Sequence, residues 1–190
     1  EETAGAAAEA PAAAATDDPA QQGVTAGEAG DEAPTPSTRL PDPVARHYET
    51  IFTTEQFDVW LVLIENAELV AFDTETTSLN YMDAEVVGLS FGLAEGRAAY
   101  LPVAHRYVGA PEQLDRGTVL ERLKPWLENP EAHKVGHHLK YDAHVLANHG
   151  IRLAGMRYDS MLESYVLDST ATRHDMDSVA RKYLGLDTIH

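Results

Sequence analysis

Apolar residues recur at regular intervals only from about residue 46 onward, and this change divides the chain into two regions. Residues 1–45 contain no aromatic residue and are rich in Ala, Pro, Gly, Thr, Asp and Glu. A segment of this kind buries too little apolar surface to offset the entropy that is lost on folding. We therefore expect a disordered, acidic, Ala/Pro-rich linker over residues 1–45 and a folded domain over residues 46–190.

Five segments of the second region have apolar residues three and four positions apart, which is the spacing of an amphipathic helix. The first begins after Thr53, which forms the pattern of a capping box with Gln56. Its apolar residues are Phe57, Trp60, Leu61 and Ile64. Ser160 and Glu163 form a second possible capping box. The other four predicted helices span residues 114–127, 139–148, 160–167 and 175–184.

Short apolar runs between these segments predict four strands, at residues 69–72, 86–91, 98–102 and 134–136. Residues 95–97 are expected to form the turn between the second and third strands. Strands come first along the chain, and the later strands alternate with helices. This order predicts a mixed α/β fold in layers.

Two carboxylates, Asp73 and Glu75, directly follow the first apolar strand. Side chains two residues apart lie on the same face of a strand, so these carboxylates repel each other unless a cation neutralises them. Hard divalent cations bind carboxylate oxygens, and two such ions can clamp the attacking and leaving oxygens of a phosphodiester. An exposed pair beyond a strand end is the alternative for an isolated Asp-x-Glu. The preceding buried strand favours a site, and residues 76–80 are expected to form a loop at its rim.

A second polar cluster begins at Gly136, where a predicted strand enters a predicted helix. His138 and Asp142 are four residues apart and should share one helix face, which lets Asp142 supply a third carboxylate. Lys140 can contact a phosphate, and Tyr141 can contact a base or a sugar. An amphipathic helix start with solvated His and Lys side chains is the alternative, and this segment alone favours that alternative slightly.

Charge and composition narrow the function. The chain has 14 basic and 31 acidic residues and a formal net charge of -17, which opposes nucleic-acid binding by bulk charge. The absence of cysteine excludes disulfides, thiolate catalysis and Cys-ligated zinc. No apolar run approaches the roughly 20 residues that span a bilayer, so we expect no membrane partner.

At the two carboxylate segments the chain resembles the proofreading 3′–5′ exonuclease domain of family A DNA polymerases. Residues 71–76 are similar to the first exonuclease motif of that family, and residues 134–142 to the second. The resemblance extends through residues 87–91, 100–105, 159–165 and 173–178. It therefore covers the whole folded region, and a resemblance of this length points to the bacterial members of the family.

The resemblance implies an RNase H-like (DnaQ-like) fold with a mixed central sheet. It also implies two divalent metal ions, normally Mg²⁺ with Mn²⁺ or Zn²⁺ as alternatives, held by Asp73, Glu75 and Asp142. The expected substrate is the single-stranded 3′ end of DNA, from which a deoxynucleoside monophosphate is released. The remaining domains of a parent polymerase are the other expected partners, in a bacterial cytoplasm and in association with the nucleoid.

The same resemblance implies roles for residues around the carboxylates. Leu79 is expected to wedge against the terminal base, and Thr76 and Tyr141 to lie along the 3′ nucleotide. Arg173 is expected to reach a phosphate, although a surface turn is the alternative for it. The family usually has Asn where this chain has His138. That difference affects the positioning of the penultimate nucleotide and leaves the metal site unaffected.

The larger departure from the family pattern concerns its third exonuclease motif, which is a Tyr followed four residues later by an Asp. Tyr183 and Asp187 have this spacing, but Gly185 lies between them and disfavours a continuous helix. We therefore reject this pair and expect the motif to lie beyond residue 190, in a longer chain from which this one is cut. On this basis the domain is C-terminally truncated, and it should bind metal poorly and cleave slowly or not at all by itself.

Two other functions remain open at this point. One is a catalytically inactive spacer domain that supports a polymerase. The other is an RNase D-like exonuclease that acts on RNA, because nothing in the two motifs distinguishes RNA from DNA. The retained carboxylates argue against the spacer, and the length of the match argues against the RNA exonuclease.

Overall fold

The computed structural model describes residues 45–170 and 173–187. The predicted linker, apart from its last residue, lies outside these described residues. The described part alternates strands and helices as expected from the sequence. In chain order the elements are β1 (His47–Thr50), α1 (Thr54–Asn66), β2 (Leu69–Thr76), β3 (Val86–Ala94), β4 (Arg97–Pro102), α2 (Arg116–Leu127), β5 (His133–Gly136), α3 (Leu139–Asn148), β6 (Met156–Asp159), α4 (Ser160–Leu167) and α5 (Met176–Leu184).

The strands form one mixed sheet in the order β1-β4-β3-β2-β5-β6. Strands β2, β3 and β4 are antiparallel neighbours, with a tight turn between β3 and β4 and a longer loop between β2 and β3. The pairs β2–β5, β5–β6 and β1–β4 are parallel. This arrangement confirms the predicted α/β class with a mixed central sheet, and it puts β2 in the interior of the sheet.

Strand β2 is buried on one face only. Val70, Phe72 and Thr74 point into the core, whereas Ala71 is exposed on the other face. The sequence predicted a buried strand here, and the structure buries only one of its faces, because the strand follows the period of two that places alternate residues on opposite faces. The strand also continues to Thr76, which the sequence had suggested was already in the loop.

An aromatic cluster in the core fixes the position of β2. Phe72 lies 5.9 Å from Phe91 on β3 and 5.8 Å from Trp126 on α2, measured between ring centroids. Tilted and edge-to-face pairs at this separation stabilise a core beyond the area that they bury. Because Phe72 is anchored inward, the next residue, Asp73, must face outward on the other side of the sheet.

The predicted helices occur with small shifts at their ends. Helix α1 has both hydrogen bonds of the predicted capping box between Thr53 and Gln56. Helix α3 has the predicted bounds, whereas α2 starts two residues later than expected because Asp115 caps it. Helix α5 starts one residue later than expected because Asp175 caps it, and it ends before Gly185 as predicted.

The second predicted capping box was wrong. Asp159, rather than Ser160, is the N-cap of α4, and its carboxylate accepts hydrogen bonds from the backbone N–H groups of Met161 and Leu162. Ser160 is already the first helical residue, and its hydroxyl donates to the carbonyl oxygen of Gly136. An N-cap typically has extended backbone, and Asp159, the last residue of β6, provides it.

Two strands were not predicted. Strand β1 pairs with β4 at one edge of the sheet, and β6 pairs with β5 at the other edge. All residues of β1 and most of β6 are exposed, so neither has the apolar run or alternation that would reveal a strand. Edge strands of this kind are defined by their backbone pairing, which the sequence does not record.

Lys134, on β5, is a fully buried cation. Its Nζ donates to the carbonyl oxygens of Trp126, at 2.8 Å, and Ala132, at 2.7 Å, and lies 4.2 Å from the centre of the Trp126 indole. Burial lowers the pKa of Lys134 to about 8. The side chain thereby satisfies a carbonyl group at the C-terminal end of α2 and another in the turn that leads to β5.

Among the helices in the described residues, none combines the length and the apolar composition that a membrane crossing needs.

Lys134→Met should destabilise the chain, because the carbonyl oxygen of Ala132 would lose its donor and that of Trp126 would keep only backbone donors. Unsatisfied buried acceptors cost about 1–3 kcal/mol, so we expect a loss of that size in the free energy of unfolding, measured by urea denaturation. Lys124→Met is the matched control on α2, where a half-exposed ammonium donates to the carbonyl of Gly150 and water can replace it. The control should change stability by less than about 0.5 kcal/mol. Equal stabilities for the two variants would contradict this account of Lys134.

Candidate active site

The candidate site lies where the end of β2 meets the start of α3. Asp73 and Glu75 point to one face of β2, as the sequence predicts. Asp142 lies in the first turn of α3 and is only 2% exposed. Its Oδ1 accepts a hydrogen bond from the backbone N–H of Thr74, at 3.0 Å, and another from the Thr74 hydroxyl, at 2.6 Å. The residue between the two strand carboxylates therefore holds the third one.

A close approach of backbone at Gly136 brings α3 to β2. A Cβ atom at this position would lie 2.8 Å from the carbonyl oxygen of Phe72 and 2.5 Å from Cδ2 of Leu139. No side chain fits in that space without displacing the strand or the helix. Glycine is thus required at this position for the first turn of α3, and with it Asp142, to reach Thr74.

Asp159 fixes the start of α3 from the neighbouring strand. Its carboxylate accepts hydrogen bonds from the backbone N–H groups of His138 and Leu139, at 3.1 and 2.9 Å. The same carboxylate caps α4. Backbone N–H groups at a helix start have no partner within the helix, so one carboxylate satisfies such groups for two helices. The sequence had suggested no role for Asp159, and only an Asp just before a predicted helix could have indicated one.

His138 does not share a helix face with Asp142, and that prediction was wrong. His138 is the N-cap of α3, with left-handed backbone at φ 67°, and its exposed side chain makes no capping hydrogen bond. The i, i+4 spacing places side chains on one face only when both residues are helical. Burial raises the pKa of Asp142, and the imidazole of His138 lies near enough to be one of the groups that oppose this rise.

The carboxylates disfavour each other's ionisation. Burial, followed by the charges of Asp142 and Glu75, raises the pKa of Asp73 to about 7. Burial also raises the pKa of Asp142, and the hydrogen bonds from Thr74 oppose that rise. Two acidic groups that approach each other in a partly buried place behave in this way when no cation compensates them. The site therefore has the electrostatic character of a place that favours a cation.

The donor set fits a hard divalent cation in its chemistry, since all three predicted ligands are carboxylates. Within residues 45–170 and 173–187, however, no three or more His, Asp or Glu side chains are gathered around one point that could hold a metal ion. Asp142 reaches β2 through Thr74, on the buried face, whereas Asp73 and Glu75 point to the opposite face. The charge of Asp142 nevertheless contributes to the raised pKa of Asp73, so these two carboxyl groups lie close enough to be electrostatically coupled, and Glu75 is exposed beside them.

A hydroxyl pair joins the rim loop to α3. The Tyr141 hydroxyl lies 2.5 Å from the Thr76 hydroxyl and donates to the carbonyl oxygen of Ser78, also at 2.5 Å. Leu79, one residue further along the loop, is 95% exposed, which is unusual for a leucine. Three predicted substrate-binding residues, Thr76, Leu79 and Tyr141, thus lie together at the rim.

Besides His138, two further predicted substrate contacts, Lys140 and Arg173, lie outside this group. Lys140 is exposed on α3 and lines a separate groove with His144 and Tyr158. Arg173 is 91% exposed on its side chain, and its Nε lies 3.6 Å from the carboxylate of Asp175. This position matches the surface turn that was the alternative for Arg173. A role at the site for Lys140 or Arg173 stays a prediction.

As predicted, Tyr183 and Asp187 do not lie on one continuous helix. Helix α5 ends at Leu184, and Gly185 closes it with left-handed backbone at φ 64°. Asp187 then pairs with Arg181, whose Nε and Nη2 lie 2.9 and 2.8 Å from its Oδ1. The break at Gly185 therefore separates the two side chains onto different elements.

Comparison with known proteins gives a consistent family. The family model for the 3′–5′ exonuclease of A-type DNA polymerases matches residues 48–189. The chain is 57% identical over 175 residues to DNA polymerase I of Pseudomonas aeruginosa, covering 91% of this chain and 18% of that protein. It is 40% identical over 155 residues to DNA polymerase I of Rhizobium leguminosarum, covering 73% and 15% respectively. The chain thus spans less than a fifth of the length of these relatives.

Solved structures share the fold at low identity. The POL domain of Pol1 from M. smegmatis, in complex with DNA primer-template and dNTP, has a TM-score of 0.60 at 22% identity, covering 73% of this chain and 23% of that one. Brucella melitensis NrnC with bound Mg²⁺ has a TM-score of 0.54 at 17% identity, covering 76% and 64%. Escherichia coli RNase D has a TM-score of 0.54 at 16% identity, covering 75% and 35%. These likenesses show the fold alone, and they confirm the predicted RNase H-like (DnaQ-like) class.

Asp73 should make the stability of the metal-free chain depend on pH. Its pKa is about 7 in the folded chain and about 4 in an unfolded one. The folded state therefore holds the proton more tightly, so this contribution to the free energy of unfolding is complete below pH about 4 and is lost as the pH rises through about 7.

Asp73→Asn, which resembles the protonated form, should therefore raise the melting temperature at pH 8 in EDTA and leave it nearly unchanged near pH 4. The control is Asp187→Asn at the exposed pair with Arg181, for which this pH trend is not expected. Differential scanning calorimetry between pH 4 and pH 8 measures the effect. Parallel curves for the wild-type chain and Asp73→Asn would show that burial and the neighbouring carboxylates do not raise the pKa of Asp73.

Proposed function

The chain belongs to the 3′–5′ exonuclease family, and we propose that it forms the proofreading exonuclease region of a bacterial DNA polymerase I. In this proposal it hydrolyses the last phosphodiester bond at the 3′ end of a DNA strand and releases a deoxynucleoside monophosphate. The observation that carries the proposal is the meeting of Asp73 and Asp142 from two separate elements, with the pKa of Asp73 raised to about 7. An acidic group of this kind beside an exposed rim is typical of a functional site.

The carboxylates would hold divalent cations, with Mg²⁺ as the first choice and Mn²⁺ or Zn²⁺ as alternatives. Such ions supply Lewis acidity at the scissile phosphate and lower the pKa of water. The protein's own contribution is orientation. Asp142 is held in one rotamer by two hydrogen bonds from Thr74. Asp73 is held by strand β2, which the side chain of Phe72 anchors in the core. Glu75, on its exposed stem, completes the proposed set.

The rim residues would hold the terminal nucleotide. Leu79 presents an apolar side chain that can pack against a base face, as aromatic and apolar groups do in single-strand binding proteins. The hydroxyls of Thr76 and Tyr141 lie at the same rim and can contact the sugar or phosphate. His138, Lys140 and Arg173 are exposed donors that can reach phosphates further along the strand, and we propose them as secondary contacts.

The acidity of the chain fits a site that does not capture nucleic acid by bulk charge. We propose that the remaining domains of the parent polymerase bind the duplex and deliver the 3′ end. DNA-templated synthesis in replication and repair would belong to those domains. A bacterial cytoplasmic location in association with the nucleoid follows from the same proposal.

A second function is favoured by one observation. In the described residues no three donors are gathered around a single metal position, which suits an inactive module that supports a polymerase. The two functions differ in metal binding. An exonuclease site must bind Mn²⁺ through Asp73, whereas an inactive module has no need of the ion.

A nuclease assay tests the first proposal. The full 190-residue chain, in excess over 5′-labelled single-stranded DNA, is expected to shorten the strand slowly from its 3′ end when Mg²⁺ is present. Asp73→Asn and Asp142→Asn should each reduce the rate about 100-fold or more, as the loss of a group that stabilises transition-state charge does. Asp187→Asn should leave the rate unchanged, and a loss there would show that the rejected Tyr183–Asp187 pair belongs to the site. No cleavage together with no Mn²⁺ binding would favour the inactive module.

Leu79→Ala tests the rim. Stacking of a base on an aromatic side chain is worth about 1–3 kcal/mol in single-strand binding, and a leucine offers a smaller contact, so we expect the affinity for a single-stranded 3′ end to fall by about fivefold, the lower end of that range. Fluorescence anisotropy in Ca²⁺ buffer, which limits cleavage, measures this affinity. Val108→Ala is the matched control, since Val108 is an exposed apolar residue outside the rim loop. Neither variant should alter the melting temperature, and equal affinities for the two would contradict the role of Leu79.

A further inference from the structure

Tyr100 lies in the row of side chains beside Glu75. Residues that pair directly across antiparallel strands have their side chains on the same face of the sheet. The pairing of β2, β3 and β4 therefore gives two adjacent rows on the face of the candidate site. The first row is Asp73, Ser90 and Tyr100, and the second is Glu75, Gly88 and Pro102.

The phenol of Tyr100 leans from the first row into the second. A Cβ atom on Gly88 would lie 2.0 Å from the hydroxyl oxygen of Tyr100, so this hydroxyl occupies the place of the missing side chain. Directly paired Cβ positions are about 5 Å apart, and the hydroxyl lies 2.0 Å from the Cβ position of Gly88, so it lies roughly 3–7 Å from Cβ of Glu75. A glutamate carboxylate can span this distance. Glycine at position 88 is what allows the approach.

The electrostatics agree with this proximity. Burial, followed by the charge of Glu75, raises the pKa of Tyr100 to about 12. The phenol therefore keeps its proton at neutral pH and remains a hydrogen-bond donor beside the carboxylate.

His105 holds the phenol from the other side. Nε2 of His105 makes a short hydrogen bond with the Tyr100 hydroxyl. The backbone of His105 is itself clamped by the Gln113 side chain, which accepts from its N–H at 2.8 Å and donates to its carbonyl oxygen at 3.0 Å. The loop after β4 thus delivers an imidazole to Tyr100 in a fixed position.

We propose that Tyr100, held by His105, is a positioning residue that orients the Glu75 carboxylate for divalent cation binding. In this arrangement Nε2–H of His105 donates to the phenol oxygen, and the phenol O–H donates to the Glu75 oxygen that does not face the cation. A flexible glutamate loses rotamer entropy when it is fixed, and a preset donor reduces that loss. The inference rests on the proposed function, because that function makes Glu75 a ligand.

Mn²⁺ binding to the full chain tests the proposal without reference to catalysis. Isothermal titration calorimetry and Mn²⁺ electron paramagnetic resonance measure the dissociation constant. Removing a partner that orients a metal ligand weakens metal affinity about 10–100-fold, and we expect Tyr100→Phe to do so. Tyr107→Phe is the matched control, since it deletes the hydroxyl of an exposed neighbouring tyrosine and should leave Mn²⁺ affinity unchanged.

A double-mutant cycle distinguishes positioning from a merely structural role. Glu75→Gln should weaken Mn²⁺ binding, and adding Tyr100→Phe to it should cause no further loss, because the phenol acts through Glu75. His105→Ala should weaken binding as Tyr100→Phe does. His105→Gln, whose amide N–H can replace Nε2–H, should restore most of the affinity. Thermal unfolding curves show that each variant is folded.

The outcomes separate the inference from the function on which it rests. Equal Mn²⁺ affinity in Tyr100→Phe and the wild-type chain would overturn the inference alone, as would a full additional loss in the Glu75→Gln background. If Tyr100→Phe does not fold, the His105 pair decides, and equal weakening by Ala and Gln would overturn the inference. A wild-type chain that binds no Mn²⁺, or binds it equally well after Asp73→Asn, would overturn both the proposed function and the inference.

Discussion

The burial of Asp73 beside Asp142 is the constraint on which the arrangement of the site depends. Two acidic groups from β2 and α3 are held together so closely, and so far from water, that the pKa of Asp73 rises to about 7. A chain that relaxed freely would move them apart, because each unit of pKa shift corresponds to about 1.4 kcal/mol between the two protonation states. Several contacts that take no part in catalysis hold these two carboxyl groups in place. The aromatic packing of Phe72 anchors one side, and the hydrogen bonds from Thr74 hold the other.

The same constraint explains why Asp159 has so many hydrogen bonds. Its carboxylate accepts from backbone N–H groups at the start of α3 and at the start of α4. These bonds fix the depth to which α3 enters the site, and hence the distance between Asp142 and the strand. Gly136 allows α3 to approach β2, and the hydrogen bonds to Asp159 keep α3 in that position. Neither residue belongs to the carboxylate group, yet both determine its geometry.

Periodicity and capping patterns predicted the elements that bury an apolar face. Phe57, Trp60 and Ile64 are buried in α1 as expected, and α3 has the predicted bounds. The edge strands β1 and β6 were missed because exposed residues such as Tyr48 and Arg157 carry no periodic signal. The two carboxylate segments do meet, and their motifs indicated as much. The geometry within them was less accessible, because the left-handed backbone of His138 breaks the helical spacing that the prediction assumed.

The backbone at His138 also limits which residues evolution can place there. Left-handed conformations are strained for most side chains, and Asn, Asp and His tolerate them several-fold better than the average residue. The resemblance gives Asn as the usual residue at this position, and this chain has His. Codons for the two differ at a single base, so one point mutation exchanges them and the fold accepts the change. Selection for contacts with a substrate strand at position 138 can therefore act only among the few residue types that tolerate left-handed backbone.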